Sequence, residues 1–429
     1  MKVAVLGYGV EGQSATRYYQ GLGEDVTICD NRTDIKAPSG IKSQLGSDYL
    51  QHLDQFDLII RSPSIRPDTI YGANPDLEPS RLSSVTSQFL ENCPAPIIGV
   101  TGTKGKGTTS TLIAKILEAA GYTVHLGGNI GNPALDFLSD VNADDYVILE
   151  LSSFQLMDVT RSPHIAIMLM ISPDHQDWHP DMAEYVTAKQ NIFKYQGAGD
   201  RAIYNACNVF SLQSGLGAPA DQTPYNAAEG AWVEDNQVKI GETVICHTDE
   251  IGLIGRHNWD NVCAAVTATW PIVHNAALLR AVIHSFTGLQ HRLKEVATAN
   301  GVVYVDDSIS TNPQTAIAAL QAFDCPKVVI LGGADKKASY DSLAAELAPA
   351  QVKKAVLLGE TAPQIRKALD VVGFRNYVIA TDMDAAVTAA ARTAQSGDIV
   401  LLSPGCASFD MFKNYQDRGD QFAAAARAQ

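Results

Sequence analysis

Short apolar runs rich in valine, isoleucine and leucine alternate with helical stretches along most of this chain. Parallel strands cannot be joined by a tight turn, because the chain must cross back over the sheet, usually as a helix. The alternation therefore predicts an α/β fold in which helices cover parallel sheets. A chain of 429 residues is also too long for one compact core, and about 100 to 200 residues per domain allows two to four domains.

The predicted strands fall into three blocks. The first has strands at 2–6, 26–29 and 57–60 and ends in a polar, proline-containing stretch at 91–96 that is typical of a linker. The second has strands at 97–100, 146–149 and 165–171, with a hairpin at 231–246 that turns at 234–236, and it closes near Gly288. The third has strands at 302–305, 328–331, 355–358, 378–380 and 399–402. We predict three domains, with boundaries after residues 93 and 287.

Composition excludes several classes of function. Asp and Glu number 47 against 32 Lys and Arg, a net charge of −15, so an anionic ligand needs a local site and binding to nucleic acid or an anionic membrane is disfavoured. The seven cysteines are far apart without a Cys-x-x-Cys pair, which favours a reducing cytoplasm over disulfides or zinc. The N-terminus lacks an apolar signal core and the run 165–171 is too short to span a bilayer, so we expect neither secretion nor membrane insertion.

A glycine-rich loop follows the first predicted strand. Residues 7–12 read Gly-Tyr-Gly-Val-Glu-Gly and open a predicted helix, and Asp30 follows the second strand. This is the context of a dinucleotide fingerprint, in which helix N–H groups bind a diphosphate. The same glycines suit NAD(P), a UDP-type ligand or a tight turn that binds nothing, and the motif alone does not choose among them.

A second glycine-rich loop opens the middle block. Residues 99–109, Gly-Val-Thr-Gly-Thr-Lys-Gly-Lys-Gly-Thr-Thr, lie between a strand and a helix-like stretch at 110–120. They form a P-loop variant in which Gly107 stands where the strict motif has Ser or Thr. Lys106 and the loop N–H groups would bind the phosphates of ATP, and Thr108 would offer a hydroxyl to Mg²⁺. The alternative is a glycine-rich turn with surface lysines.

Two strands of the middle block lead into side chains that can ligate metals. Strand 146–149 runs into Glu150, which a parallel sheet would place near the P-loop, although a strand-end glutamate is often only solvated. The run 165–171 leads into Asp174 and His175. His175 suits a metal ligand or a loop histidine hydrogen-bonded to Asp174, and spacing leaves both open.

Motifs along essentially the whole chain resemble those of the Mur ligases. They are Gly-Asn-Ile-Gly at 128–131, Glu-Leu-Ser-Ser-Phe-Gln-Leu at 150–156, Pro-Asp-His-Gln-Asp at 173–177, Tyr185 with Ala-Lys at 188–189, Gly-Arg-His-Asn at 255–258, Gly-Leu-Gln-His-Arg at 288–292, Asp-Asp-Ser-Ile-Ser-Thr-Asn at 306–312, Leu-Gly-Gly-Ala-Asp-Lys at 331–336 and the segment 402–415. The resemblance implies a Rossmann-like domain at 1–93, a P-loop ATPase-like parallel sheet at 94–287 and a Rossmann-like domain at 288–429.

The resemblance assigns a substrate to each domain. The first would bind the UDP part of a nucleotide sugar through Gly9, Val10, Glu11, Gly12, Asp30, Arg32, Ser62, Pro63 and Ser64. The second would bind ATP through Gly102, Thr103, Lys104, Gly105, Lys106, Gly107, Thr108 and Thr109, with adenine and ribose contacted by His257, Asn258, Asn261, Arg292 and Asp307. The third would bind glutamate through Thr311, Lys336, Ser408, Phe409 and Tyr415, with Ser408 and Phe409 beginning a helix.

The resemblance also implies two Mg²⁺ sites. Thr108 and Glu150 would ligate one ion, and His175 and Lys189 the other. A protonated lysine cannot ligate a metal, so the family's carbamylation of the matching lysine is expected at Lys189, which would otherwise be an ordinary surface lysine of a helix. The expected catalytic residues are Lys106, Asn129, His175 and Lys189.

The implied reaction is ATP-dependent ligation of D-glutamate to UDP-N-acetylmuramoyl-L-alanine through an acyl phosphate, in peptidoglycan and hence cell wall synthesis. Two departures from the family pattern keep alternatives open. Ile309 stands where many such ligases carry lysine, which suggests the same reaction with L-glutamate, and Gly107 resembles the loop of folylpolyglutamate synthases. We expect a cytoplasmic monomer whose partners are these small molecules, with no nucleic acid and no membrane.

Overall fold

The structure is a computed structural model that describes residues 1–175, 178–336 and 338–429. These residues form two compact units. The first is Met1–Ile251 with His257–Ser285, and the second is Gly252–Arg256 with Phe286–Gln429. The predicted α/β class is confirmed, because helices alternate with strands and the large sheets are parallel. The predicted domain boundaries stay a prediction. Among the described residues, no helix has both the length and the apolar composition to cross a bilayer.

The first unit begins with a five-stranded parallel sheet. Its elements are β1 (Lys2–Leu6), α1 (Val10–Gly21), β2 (Asp25–Asp30), β3 (Lys42–Leu45), β4 (Leu58–Arg61), α2 (Pro67–Ala73), β5 (Leu82–Ser84) and α3 (Val85–Asn92). The strand order is β3-β2-β1-β4-β5, so the direction of winding reverses between β1 and β4. The loops after these two strands therefore meet at the carboxyl edge where such sheets bind ligands. Helix α3 includes Asn92, so the predicted linker at 91–96 is shorter than expected.

A six-stranded parallel sheet follows. Its elements are β6 (Ile97–Thr101), α4 (Lys106–Ala119), β7 (Val124–Gly128), α5 (Ala134–Phe137), β8 (Tyr146–Glu150), α6 (Ser153–Leu156), β9 (Ile165–Met168), α7 (Met182–Lys194), β10 (Arg201–Asn205), α8 (Val209–Leu216) and β11 (Asp221–Tyr225). The order β11-β10-β9-β6-β8-β7 puts the ends of β6, β8 and β9 side by side. The predicted strand at 165–171 ends at Met168, because beyond it Met170 accepts from the N–H of Thr103 and the chain follows the glycine loop.

The first unit ends with a small antiparallel sheet and two helices. They are β12 (Ala231–Glu234), β13 (Gln237–Ile240), β14 (Thr243–His247), α9 (His257–Val273) and α10 (Ala276–Ser285). The predicted hairpin is confirmed, and a third strand, β14, extends it. Asp235 and Asn236 both have positive φ, 49° and 59°, as a two-residue turn with the twist of a hairpin requires.

The second unit is built on one six-stranded sheet. Its elements are β15 (Lys294–Ala299), β16 (Val302–Asp306), α11 (Pro313–Gln321), β17 (Lys327–Leu331), α12 (Asp341–Glu346), β18 (Val352–Leu357), α13 (Ala362–Val371), β19 (Tyr377–Ile379), α14 (Met383–Ala391), β20 (Ile399–Leu402) and α15 (Tyr415–Arg427). The order is β15-β16-β20-β17-β18-β19, with β15 antiparallel to β16. Alternate residues of β17 pack into two hydrophobic cores on opposite faces of the sheet. Val329 and Leu331 lie on one face, and Val328 and Ile330 lie on the other.

Candidate active site and substrate-binding loops

The loop between β6 and α4 has the strand–loop–helix setting that the P-loop variant predicts. Helix α4 begins at Lys106 rather than near residue 110, so the three residues after Lys106 lie in its first turn, where N–H groups are available to an anion. Gly102 and Gly105 have φ of 147° and 86°, and a Cβ on Gly105 would lie 2.1 Å from Oδ1 of Asn261. The loop therefore depends on glycine at both positions.

Two lysine side chains converge on this loop. The Nζ of Lys106 donates to the carbonyl oxygens of Gly102 at 3.1 Å and Thr103 at 3.0 Å. The Nζ of Lys189, on α7, donates to the same Gly102 oxygen at 2.9 Å. Lys189 is 1% exposed, and burial together with the charge of Lys106 holds its pKa well below the ordinary value. The surface-lysine interpretation of Lys189 is therefore wrong.

The end of the neighbouring strand β8 supplies a buried carboxylate. Glu150 is 4% exposed, and its Oε1 accepts from the side-chain amide of Asn129 at 2.8 Å. The backbone N–H of Asn129 also donates to the carbonyl oxygen of Glu150 at 2.8 Å. The solvated-glutamate alternative is wrong, and the predicted catalytic Asn129 lies against the predicted metal ligand.

His175 lies past the end of β9 with a positive φ of 53°. Its backbone N–H donates to Oδ1 of Asp174 at 2.9 Å, but its ring nitrogen Nε2 is 3.8 Å from Oδ2, too far for a hydrogen bond. Its ring meets the ring of Phe154 edge-on, with centroids 4.7 Å apart. Gln176 and Asp177 of the family motif lie outside the described residues. Within the described ranges, no group of three His, Cys, Asp or Glu side chains could hold a metal ion.

The predicted adenine and ribose residues divide between the two units. In the first, Oγ1 of Thr109 donates to Oδ1 of Asn261 at 3.3 Å, and Nδ2 of Asn261 donates to Oδ1 of Asn258 at 2.7 Å, next to His257 at the start of α9. In the second, Asp307 follows β16 and accepts from the hydroxyl of Ser403 at 2.8 Å, and burial raises the pKa of Asp307 to about 7. Arg292 belongs to the same unit.

The first glycine loop and the segment after β2 are joined by Asp30. Its carboxylate accepts from the N–H of Tyr8 at 2.7 Å and from Nε and Nη2 of Arg32 at 3.0 and 2.8 Å. These donors, Arg32 above all, hold the pKa of Asp30 at about 2. Asp30 and Arg32 are thus brought to the loop after β1, as the predicted nucleotide-sugar site requires.

A second contact ties this loop to the middle sheet. The Oε1 of Glu11 accepts from Nε2 of Gln155 at 2.7 Å, and its Oε2 is buried without a hydrogen-bond partner among the described residues. Burial raises the pKa of this carboxyl group.

The loop after β4 carries the other residues predicted to contact the nucleotide sugar. The hydroxyl oxygens of Ser62 and Ser64, on either side of Pro63, are 3.2 Å apart.

Two glycines of the first loop are expected to respond differently to alanine. A Cβ on Gly12 would lie 1.9 Å from the carbonyl oxygen of Gly7, whereas nothing lies within 4 Å of a Cβ on Gly9. We expect Gly12→Ala to lower the free energy of unfolding by about 2 kcal/mol. Gly9→Ala should leave it unchanged but weaken binding at the predicted nucleotide-sugar site, since the Cβ would lie at the N-terminus of α1. Thermal unfolding and calorimetric titration of both variants test this, and equal stabilities would contradict it.

The predicted glutamate residues lie in loops of the second unit, but one expectation about them is wrong. Ser408 and Phe409 do not begin a helix: the Ser408 carbonyl accepts from the N–H groups of Met411 and Phe412 in a single turn. The helix starts only at Tyr415, where Asn414 caps it. Ser408 is buried, whereas Phe409 and the predicted Lys336 are exposed, and Thr311 is half-buried.

One buried cationic residue at these loops has no signal in the sequence motifs. Arg418 is fully buried without a carboxylate partner among the described residues, and it donates to the carbonyl oxygens of Ser308 at 2.7 Å and of Cys406 and Ala407 at 3.1 Å. It therefore fixes the loops after β16 and β20 to each other. The motifs also assign no role to His179, which is buried in the first unit.

The fold and the site together define a class of protein. A glycine loop between a strand and a helix, with a carboxylate ending the adjacent strand, is the arrangement of P-loop nucleotide-binding proteins. Residues 100–269 match the family model of the Mur ligase middle domain, and residues 291–406 match that of the Mur ligase, glutamate ligase domain. The chain belongs to the Mur ligase family.

Relatives cover the chain from end to end. Proteins from Clostridium tetani and Acetivibrio thermocellus, both named UDP-N-acetylmuramoylalanine--D-glutamate ligase, are 36% identical over 446 residues and 39% identical over 444 residues. The alignments cover 99% and 98% of this chain and 96% and 95% of the relatives. The crystal structure of a MurF ligase from Thermotoga maritima in complex with ADP shares the fold, with a TM-score of 0.60 and 16% identity over 99% of this chain and 93% of the other.

Proposed function

We propose that this Mur ligase joins D-glutamate to UDP-N-acetylmuramoyl-L-alanine while ATP is converted to ADP and phosphate. One observation carries the proposal: Lys106, Glu150 and Lys189 are grouped at one edge of the six-stranded sheet of the first unit. The names of the full-length relatives support it. The same proposal places the protein in the cytoplasm, as a monomer with domains at 1–93, 94–287 and 288–429.

The alanyl carboxylate resists attack by an amine, so the reaction begins with its activation. An oxygen of that carboxylate attacks the γ-phosphorus of ATP, which gives an acyl phosphate and releases ADP. Lys106 and the N–H groups at the start of α4 bind the phosphate oxygens and spread their charge. The glutamate amine then attacks the acyl carbon and loses a proton, and inorganic phosphate leaves as the amide forms.

The described residues offer oxygen ligands for the first of the two Mg²⁺ ions that the family implies. Glu150 offers a buried carboxylate and Thr108 a buried hydroxyl in the first turn of α4, and Mg²⁺ prefers oxygen ligands of this kind. The second site would use His175 and Lys189. Bound Mg²⁺ would neutralise charge on the phosphates.

Lys189 suits carbamylation, because only a neutral amine adds CO₂. Its pKa is lowered well below the ordinary value by burial and by Lys106, so the neutral form is populated at a lower pH than in a surface lysine. The amine would add CO₂ and release a proton, which leaves an N-carboxylate. That change replaces a cation beside Lys106 with the oxygen ligand that the second Mg²⁺ requires.

Glutamate would bind the second unit through Thr311, Lys336, Ser408, Phe409 and Tyr415. A second candidate is the same reaction with L-glutamate, which Ile309 favours because it removes a cation from the loop after β16. Folylpolyglutamate synthesis, suggested by Gly107, is disfavoured. Gly107 fits into α4 as its second residue. The five-stranded sheet forms an N-terminal region of the kind that those synthases lack.

Phosphate release tests the proposed function. Purified protein with ATP, Mg²⁺, UDP-N-acetylmuramoyl-L-alanine and D-glutamate should release phosphate and form the amide product, detected by mass spectrometry. Omission of any one component should abolish release. A parallel assay with L-glutamate separates the two candidates, and phosphate release that persists without the nucleotide sugar would overturn both.

A further inference from the structure

Arg66 ties the loop after β4 to the start of α7. It lies two residues past Ser64, and its guanidinium donates to both carboxylate oxygens of Glu184, at 3.0 Å each, and to the carbonyl oxygen of Trp178 at 2.7 Å. The guanidinium carbon also lies 4.7 Å from the centre of the Trp178 ring. Asp68 accepts from the remaining Nε–H and from Nη2. Bidentate pairing of this kind fixes the orientation of both partners.

Glu184 also contacts a buried histidine, His179. Its Oε1 lies 2.8 Å from Nδ1 of His179, and Nε2 of His179 lies 2.9 Å from the hydroxyl of Ser153. Burial lowers the pKa of His179, which favours the neutral ring with one donor and one acceptor nitrogen. The arrangement satisfies both: Nδ1–H donates to Glu184, and Nε2 accepts from Ser153.

The His179 ring belongs to a cluster of rings beneath the candidate active site. It stacks on Phe154 with centroids 5.7 Å apart and meets Tyr185 edge-on at 5.3 Å. Tyr185 in turn lies under the Nζ of Lys189, at 4.7 Å from the ring centre. The backbone N–H of His179 donates to the carbonyl oxygen of His175 at 2.9 Å. His179 therefore supports the two residues assigned to the second Mg²⁺ site.

We propose that three residues outside the family-assigned set are positioning residues: Arg66, Glu184 and His179. They fix the position of the loop of residues 62–64 relative to the aromatic rings that contact Lys189. The inference rests on the proposed function, in which loop 62–64 contacts the nucleotide sugar. Because a loop anchored before binding loses less conformational entropy when the ligand arrives, the Arg66–Glu184 pair should lower the KM for that substrate.

Arg17 offers a matched control for Arg66. Like Arg66, it connects an element of the five-stranded sheet region to an element of the six-stranded sheet region of the first unit. Its Nη2 donates to both carboxylate oxygens of Asp136 on α5, at 2.9 and 2.7 Å. Arg17 lies about two turns into α1, away from the carboxyl edge of the sheet. Loss of this pair removes a similar contact without releasing loop 62–64.

Steady-state kinetics of R66Q and R17Q test the inference. We expect R66Q to raise the KM for UDP-N-acetylmuramoyl-L-alanine about tenfold, with kcat and the KM for ATP within about twofold of the unmodified protein. Calorimetry should show the same loss in the Kd for the nucleotide sugar. R17Q should change neither quantity. The H179A variant keeps the Arg66–Glu184 pair but removes the support for Lys189, so it should lower kcat about tenfold and leave that KM within about twofold.

A double-mutant cycle shows whether Arg66 acts through Glu184. If it does, R66Q/E184Q should have a KM for the nucleotide sugar no higher than the worse single variant, whereas additive effects would overturn the inference. Equal KM values for R66Q and R17Q, or an unchanged kcat in H179A, would also overturn it. The proposed function fails separately, if the unmodified protein does not use the nucleotide sugar at all.

Discussion

Replacement of Lys189 by alanine is expected to reduce kcat about a thousandfold, equivalent to about 4 kcal/mol of lost transition-state stabilisation. The side chain is buried at the glycine loop and bonded to the Gly102 carbonyl, and in the proposed reaction its carbamate is the oxygen ligand of the second Mg²⁺. Alanine leaves that ligand position empty. Initial rates of phosphate release at saturating substrates measure the loss.

Lys194 provides the control, since it lies on the same helix with its side chain exposed. K194A should retain activity within about twofold. If Lys189 acts as a carbamate, acetate or formate should partly restore the rate of K189A by supplying a carboxylate to the vacated space. An unimpaired K189A would remove the carbamate from the mechanism, and a K189A that no short carboxylate restores would limit Lys189 to a cationic role.

Lys106→Ala is the second substitution with a large expected effect, a loss of about a thousandfold in kcat/KM for ATP. The amine stands at the first residue of α4, bonded to the Gly102 and Thr103 carbonyl oxygens. There it adds a full positive charge to the helix N-terminus that receives the phosphates.

K115A is the matched variant for K106A, because Lys115 lies on the same helix but is exposed. It should bind ATP as the unmodified protein does, whereas K106A should show weaker binding in calorimetry. Full activity of K106A would mean that the loop does not serve as a phosphate site.

Much of the fold could be predicted because buried parallel strands are continuous apolar runs. Strand β1 was predicted at its observed bounds, and β6 to within one residue. Two edge strands of the first sheet were missed: β3 has the polar sequence Lys-Ser-Gln-Leu, and β5 has only three residues. Such strands carry little apolar signal of their own, since they form by pairing with a neighbour.

The candidate site was predicted unevenly. Glycine spacing and strand ends located Lys106 and Glu150, because both signals are local. The burial of Lys189 has no such signal, since it depends on which face α7 turns toward the glycine loop. Arg66 and Glu184 are 118 residues apart, and no local pattern connects them. The turn at Ser408 was taken for a helix because the helix-compatible residues after it hide the cap at Asn414.

The core of the first unit has a consequence for synthesis of the chain. Val3 and Phe89 from the first sheet's side share one apolar interior with Leu149 of the middle sheet, and the Phe89 and Phe137 rings meet at 5.3 Å. The ribosome releases helix α3 well before these partners emerge. A nascent chain that pauses near residue 93 therefore exposes an aromatic surface, and polypeptides truncated there should aggregate or recruit chaperones.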